Sequence, residues 1–244
     1  MGKPADILVE ITARRRQRLA DALLGAPAGA RTAPLGRAHP FLAALGGPGR
    51  AIIAEVKLGS PRLGDLRHRL KPEALAEAYG RAGAAAMSVV VEPDYFHGDY
   101  ALVGRCARAS GLPVLAKDFV VDRVQLEMAA EAGAAAVLLI AALHEPAELR
   151  GYAATARSLG MVPLIETHDR SDAERLDGGE WEAVGVNNRE LRTFEVDLGH
   201  SIEMLSRLPA GCLRVSESGL REPADLARLE RRGFDAFLVG ESLL

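Results

Sequence analysis

Acidic, basic and amide side chains recur in this chain just past short apolar runs. Glu55 and Lys57 flank Val56, Lys117 and Asp118 follow one run, and Glu166 follows another. Asn187, Asn188 and Arg189 follow a third, Glu217, Ser218 and Gly219 a fourth, and Gly240 and Glu241 the last. A single Lys or Glu at such a place is ordinarily a solvated rim charge or half of a structural ion pair. As a set, lysines and glutamates converging in one cleft shift one another's proton affinities, so one site can hold an acid and a base at neutral pH. Ser218-Gly219 and Gly240-Glu241-Ser242 put small residues, and hence accessible backbone N–H groups, where a phosphate would be held, and Ser60 adds a hydroxyl. The plainer reading of those glycines is tight turns. Together the residues suit acid–base catalysis on a phosphorylated small molecule, with no cofactor and no metal.

Other chemistries fit less well. The six histidines, His39, His68, His97, His144, His168 and His200, share no i, i+4 or His-x-His spacing, which argues against zinc or iron. There is no Gly-x-Ser-x-Gly elbow, and Cys106 falls in a helical stretch where a packing role is expected. Cys106 and Cys212 are the only two cysteines and form no CxxC pattern, so a disulfide scaffold is not expected and a reducing compartment is. With 30 Lys+Arg against 33 Asp+Glu, a net charge of −3 and no long block of one sign, neither nucleic acid nor an acidic membrane face is an expected partner. The N-terminus lacks the apolar core of a signal peptide, and the longest apolar run, Ala132 to Leu143, is too short to span a bilayer. The expectation is a cytoplasmic protein acting as a monomer.

Positioning these residues requires a repeated β-α rhythm. The apolar runs read as strands are Ala51 to Val56, Ala86 to Val91, Pro113 to Ala116, Ala136 to Ile140, Met161 to Ile165, Ala183 to Val186, Leu213 to Val215 and Ala236 to Val239. Their starts lie 35, 27, 23, 25, 22, 30 and 23 residues apart, which leaves room for one helix between each pair and demands parallel crossovers. Gly83, Gly133 and Gly233 each end a helical stretch just before a strand, as left-handed caps do. Continuously apolar strands mean a parallel sheet covered outside, either closed as a (β/α)8 barrel or open and doubly wound. Eight strands favour closure, and neither a Gly-x-Gly-x-x-Gly turn after the first strand nor a phosphate loop is present. The α/β barrel is expected to form one domain over 1–244, with residues 1–50 as an extension and 51–244 as the barrel; the length suits this. Within the extension, Ile7 to Leu24 has a moderate helical pattern and Gly25 to Gly49, rich in Ala, Gly and Pro, reads as a loop. The helix is either a plug for one barrel end or a lid over the substrate.

Ile53-Ala54-Glu55-Val56-Lys57-Leu58-Gly59-Ser60-Pro61 resembles the first-strand signature of the indole-3-glycerol phosphate synthase family. In order, 113–119, 164–168, 185–198, Ser216-Glu217-Ser218-Gly219 and 237–242 resemble further family motifs, so the likeness spans essentially 51–244. It implies conversion of 1-(2-carboxyphenylamino)-1-deoxyribulose 5-phosphate to indole-3-glycerol phosphate, with loss of carbon dioxide and water. It further implies Lys117 as the general acid on the ketone oxygen, Lys57 as partner of the substrate carboxylate, and Glu166 as the base for the later proton removal. Glu55 and Asn187 would orient these groups, Ser218 would join the catalytic set, and Arg189 and Glu217 would support the network. Ser60, Gly219, Gly240 and the Glu241 backbone would bind phosphate, with Phe96 and Leu191 packed on the anthranilate ring. Leu58-Gly59 stands where the family often has a basic residue, so a phosphate or lid charge is expected to be lost; the stretch 90–99 keeps only the Phe-x-Gly core. Only Gly240 to Leu244 follow the eighth strand, whereas the family continues with another helix. The final outer helix is therefore expected to be missing, leaving an apolar strip beside the first and eighth strands. Rival readings are a lysine Schiff-base aldolase on the same barrel, a non-catalytic barrel, and a secondary-metabolism paralogue with the same reaction.

Overall fold

The computed structural model describes residues 7–20, 35–190 and 195–243. Strand β1 (Ala51–Val56) is followed by a short antiparallel hairpin, β2 (Gly59–Ser60) and β3 (Gly64–Asp65). Then come β4 (Ala86–Val90), β5 (Val114–Lys117), β6 (Ala136–Ile140), β7 (Val162–Thr167), β8 (Ala183–Asn187), β9 (Leu213–Glu217) and β10 (Ala236–Val239). Apart from the hairpin, each strand pairs in parallel with the next, and β10 returns to β1, so the sheet is a closed eight-stranded barrel. All eight runs expected from the sequence are these strands, and closure settles the choice against an open sheet.

Two apolar layers follow from the period-two alternation of strand side chains. Inward, Ile53, Leu115, Leu138, Leu164, Val215 and Leu238 fill the barrel. Outward, Val89, Ala116, Leu139, Ile165, Val184 and Phe237 pack under the helices. Those helices are α3 (Pro72–Arg81), α4 (Ala101–Ser110), α5 (Arg123–Glu131), α6 (Pro146–Ser158), α7 (Arg170–Glu174), α8 (Leu198–Met204) and α9 (Pro223–Glu230), preceded in the chain by α1 (Ile7–Ala20) and α2 (Pro40–Leu45). Gly83, Gly133 and Gly233 have φ of 84°, 84° and 106°, the left-handed caps that the sequence pattern calls for. After β10 the described chain makes a 3-10 turn over Glu241–Leu243. On β1 and β10 the outward side chains Ala54, Val56, Phe237 and Val239 are buried and only Ile52 is half-buried, so the apolar strip expected there is largely covered.

One expectation needs correction. Residues 25–49 are not all loop: Pro40–Leu45 is helix α2, and it, rather than α1, plugs the N-terminal end of the barrel. Pro40 opens it at a position where no N–H is needed, and His39 Nδ1 accepts from the Phe41 N–H at 3.3 Å. Six residues are too few to show a helical period, and the surrounding Ala, Gly and Pro hid it. Phe41, Leu42 and Leu45 are each at most 2% exposed among the inward side chains Ala51, Ala183 and Leu213. Among the described residues no helix is long and apolar enough to cross a membrane. Cys106 and Cys212 are both buried and unpaired.

Candidate active site

The alternation that sends Ile53 and Leu115 inward also sends Glu55, Lys57, Lys117, Glu166, Asn187 and Glu217 inward, one step further along their strands. They meet at the C-terminal mouth of the barrel. Lys117 Nζ donates to Glu217 Oε2 at 2.9 Å and to Glu166 Oε2 at 3.4 Å, and lies 4.0 Å from Glu55 Oε2. Lys57 Nζ is 3.2 Å from Glu55 Oε1, and Asn187 Nδ2 donates to Glu166 Oε1 at 3.2 Å. Against the burial that disfavours its charge, the carboxylates of Glu217, Glu166 and Glu55 hold Lys117 well above the usual lysine range. Burial also opposes ionisation of Glu166 and Glu55, yet Lys117 beside the first and Lys57 beside the second keep both below the usual carboxylate range. Glu217 differs: its burial, reinforced by the like charge of Glu166, outweighs Lys117 and pushes it up to about 7. The cluster thus holds charged ammonium and ionised carboxylate next to a carboxyl group poised to exchange a proton.

Two glycines make this crowding possible. A Cβ on Gly185 would fall on the Glu217 carboxylate, and one on Gly240 would lie 2.5 Å from Glu55 Oε1. Gly240, expected at the phosphate, therefore also vacates space for a buried glutamate. Gly185 was not foreseen, because an inward glycine in a strand gives no signal until its neighbour on the adjacent strand is known. Ser218 takes the left-handed conformation, φ 67°, which costs a serine on the order of 1–3 kcal/mol. Asn188 holds this turn in place, its Nδ2 donating to the Glu217 and Ser218 carbonyls at 2.9 and 3.2 Å. Asn188 is thus a buried scaffold, and Asn187 alone of the pair faces the cleft.

The cleft has an apolar and a polar lobe that share Glu55, Lys57, Arg62, Lys117, Arg189, Ser218 and Glu241. Phe96 lines the apolar lobe with Phe119, their ring centroids 6.0 Å apart. Buried Glu92 sets Phe96 there by accepting the N–H groups of Asp94, Tyr95 and Phe96 at 2.7–3.0 Å. The polar lobe adds Gly219, Gly240 and Ser242 to the shared residues. Arg62, in the β2–β3 turn, and Arg189, after β8, both pair with the side chain of Glu241, the latter at 3.2 Å. Burial, and then the nearby charge of Arg62, lower the proton affinity of Arg189. Arg62 thus brings a cation to the rim where Leu58-Gly59 lacks one, and the sequence reading missed it because it lies just past the end of the matched stretch. These pairs use the Glu241 side chain, whereas the expectation from the sequence concerned its backbone. Ser60 lines the apolar lobe, with its hydroxyl accepting from the Leu63 N–H at 3.0 Å. Leu191 lies outside the described residues.

Helix α1 covers this mouth, with Ile7, Leu8 and Ile11 lining the apolar lobe, so of the two readings of the extension the lid is the one that fits α1. Buried Arg15 pairs with Asp118, which also accepts from Tyr100 Oη at 2.7 Å and Gln125 Nε2 at 2.8 Å. Arg18 makes a forked pair with Asp94, and Tyr95 Oη donates to Glu10 at 2.6 Å. Because Asp118 adjoins Lys117 in sequence, the lid is tied to the strand end that carries the ammonium.

Ionisable groups packed at the C-terminal mouth of a closed parallel barrel, beside a rim of arginines and small residues, define a barrel enzyme that moves protons on an anionic substrate. Comparison with known proteins narrows the class. The family model described as indole-3-glycerol phosphate synthase matches residues 9–244. An indole-3-glycerol phosphate synthase from Chromobacterium violaceum is 39% identical over 247 aligned residues, covering 98% of this chain and 93% of that protein. One from Desulfotalea psychrophila is 43% identical over 196 residues, covering 80% and 75%. Among solved structures, an N-acetylmannosamine-6-phosphate 2-epimerase from Clostridium perfringens superposes with TM-score 0.62 at 12% identity, covering 86% of this chain and 93% of that one. A tryptophan synthase α-subunit from Pyrococcus furiosus superposes with TM-score 0.57 at 14% identity, covering 79% and 87%. Those two likenesses show the barrel fold alone. The chain belongs to the indole-3-glycerol phosphate synthase family. Its activity is that of the family, a carboxy-lyase of tryptophan biosynthesis acting on a phosphorylated substrate.

Proposed function

We propose that the cleft folds 1-(2-carboxyphenylamino)-1-deoxyribulose 5-phosphate for ring closure, with Lys117 as the general acid. The observation that carries this is the Lys117 ammonium held within 4.0 Å of three buried carboxylates. As the anilino ring carbon attacks the ketone, its oxygen takes a proton from Lys117 and becomes a hydroxyl. Closure leaves an iminium that accepts the electron pair of the departing carbon dioxide. Lys57 pairs with the substrate carboxylate before it leaves, and Glu166 removes the proton that accompanies loss of water. Glu55 and Asn187 orient these groups, Glu217 holds Lys117, and Ser218 shapes the turn beside it. Phe96, with Leu191 by resemblance, packs on the anthranilate ring. Ser60, Gly219, Gly240, Arg189 and Glu241 form the phosphate end, to which Arg62 adds a charge. Holding a flexible substrate folded for attack is a large share of the task.

The test is formation of indole-3-glycerol phosphate by the purified protein without added metal, read by indole fluorescence. Lys117→Ala is expected to lose several orders of magnitude in kcat, and near-normal turnover would sink the assignment. A Schiff-base role for Lys117 is disfavoured, since an ammonium held charged among carboxylates is a poor nucleophile; borohydride trapping of an adduct of either lysine with a phosphorylated ketose would count against the acid–base assignment. We further propose that the enzyme works as a monomer in the cytoplasm. Supporting this, its two cysteines are unpaired and, among the described residues, the exposed large apolar side chains Val9, Met128, Val196 and Leu243 lie on four separate stretches. Light scattering that gives a dimer mass would overturn the first part.

A further inference from the structure

We infer that His168 is a positioning residue, a buried cation clamped by Asp172 that decides which of the two glutamates facing Lys117 stays ionised. The inference rests on the reading of Glu166 as the base.

The sequence builds the clamp locally. Glu166 sits near the end of β7, and two residues on, His168 continues the same side of the chain. Helix α7 then starts at Arg170, capped by Asp169, whose Oδ1 accepts from the Asp172 N–H at 3.0 Å and from Ser171 Oγ at 2.7 Å. This turn swings the Asp172 carboxylate back toward the strand end, where Oδ2 accepts the backbone N–H of His168 at 2.8 Å and lies 3.7 Å from ring Nδ1 as an ion pair. On the other side, ring Nε2 is 3.1 Å from Glu166 Oε1, the oxygen that accepts from Asn187. Glu166 Oε2 is left to Lys117. Glu166 Oε2 thus accepts a hydrogen bond from Lys117 and Oε1 one from Asn187, and the His168 ring lies in ion-pair contact with Oε1 without a hydrogen bond of its own.

The charged groups facing this ring are Glu166 on β7, Asp169 and Asp172 at α7, and Lys117 of β5 across Glu166; Arg175 stands 4.0 Å behind Asp172. Side chains of Glu166 and Asp172 are each 4% exposed, and that of His168 is 12%. Burial works against a charged ring, but Asp172 and Glu166 outweigh it and raise His168 to about 10, so the imidazolium persists through neutral pH. Two carboxylates facing one ammonium would otherwise compete for a proton on nearly equal terms. The imidazolium lies against Glu166 and not against Glu217, so the proton goes to Glu217 and Glu166 remains free to act as a base.

The test uses His168→Asn, a neutral residue that keeps a donor, and Asp172→Asn, which keeps the ring and removes its clamp. With 13C-labelled glutamate carboxyls, the Glu166 resonance, assigned through Glu166→Gln, should titrate at higher pH in His168→Asn and move the same way by less in Asp172→Asn. In parallel, kcat should fall about tenfold to a hundredfold with KM within about threefold, and the acid limb of the kcat profile should rise by about one pH unit. An unmoved Glu166 titration and an unmoved acid limb in a folded variant would overturn the inference; if His168→Asn does not fold, Asp172→Asn carries the same readings. Failure of the underlying reading looks different: Glu166→Gln would keep most of its turnover while the Glu166 titration still shifted in His168→Asn.

Discussion

The two ends of the barrel are built from the same strands by the same alternation, yet they spend it differently. At the N-terminal end the inward positions are Ala51, Ala183, Leu213 and Ala236, and α2 closes them with Phe41, Leu42 and Leu45. At the C-terminal end the inward positions are Glu55, Lys117, Glu166, Asn187 and Glu217, and the covering helix α1 is held by ion pairs as well as apolar contact. One end is satisfied by exclusion of water. The other buries three glutamates against two lysines and a histidine, and one carboxylate oxygen, Glu217 Oε1, has no hydrogen-bond partner among the described residues. Such an arrangement is expensive for stability and useful for chemistry.

The sharpest break in the comparison is a pair of truncations. Lys117→Ala is expected to lower kcat by roughly 10³-fold or more, within the range for removal of a positioned acid, with a smaller change in Tm. Phe41→Ala at the other end is expected to cost about 3–5 kcal/mol of stability while the folded enzyme keeps its kcat. Thermal melts and steady-state kinetics on both variants check this, and a large loss of kcat in folded Phe41→Ala would merge the two ends. Gly185→Ala comes next. The added methyl displaces the Glu217 carboxylate from Lys117, so kcat should drop on the order of a hundredfold for a shift of about 1 Å.

The N-terminal end and the strands were largely legible in the sequence, because apolar runs of four to six residues separated by helix-length gaps report directly on burial. Glu55, Lys57, Lys117, Glu166, Asn187 and Glu217 were legible for the same reason, each being the next inward position after an apolar run. What escaped was set mostly by neighbours distant in the chain. Gly185 matters because of Glu217, and Arg62 because of Glu241 and Arg189. The ring of His168 escaped although its partners are close in sequence, because only the turn into α7 brings Asp172 back to it. The helix α2 escaped for another cause, since six residues carry too little periodicity to rise above a Gly- and Pro-rich stretch.

Glu217 also gives the comparison a pH axis. Its proton affinity is raised in the folded state, to about 7 against an ordinary value of 4.5, so the folded state binds the proton more tightly than the unfolded chain does. Stability from this group is therefore full below the ordinary value and is lost as pH rises through about 7. Glu217→Gln removes that dependence, and its Tm relative to the parent should climb between pH 5 and pH 8. A difference that stays flat across this window would mean Glu217 is ionised throughout, with no proton to exchange with Lys117 or Glu166. No such slope is expected for the Tm of Phe41→Ala relative to the parent, since both keep Glu217.

The smallest effect expected concerns how the lid is fastened. Arg18 and Asp94 form a forked pair with distances of 2.6–3.1 Å, but the Arg18 side chain is 56% exposed. Water and salt screen such a pair, and exposed pairs contribute about 0–1 kcal/mol. Arg15 and Asp118 are 5% and 1% exposed, and Asp118 also takes bonds from Tyr100 and Gln125. Removing Arg15 would strand a buried carboxylate beside Lys117, whereas removing Arg18 returns Asp94 to solvent. Asp94→Ala is therefore expected to change KM by less than about threefold and to lose even that difference in high salt. Arg15→Ala should raise KM and lower Tm at every ionic strength. If Asp94→Ala matched Arg15→Ala in size, the lid would be held by its exposed edge, and the buried contact to the strand end bearing Lys117 would no longer be what couples closure to the acid.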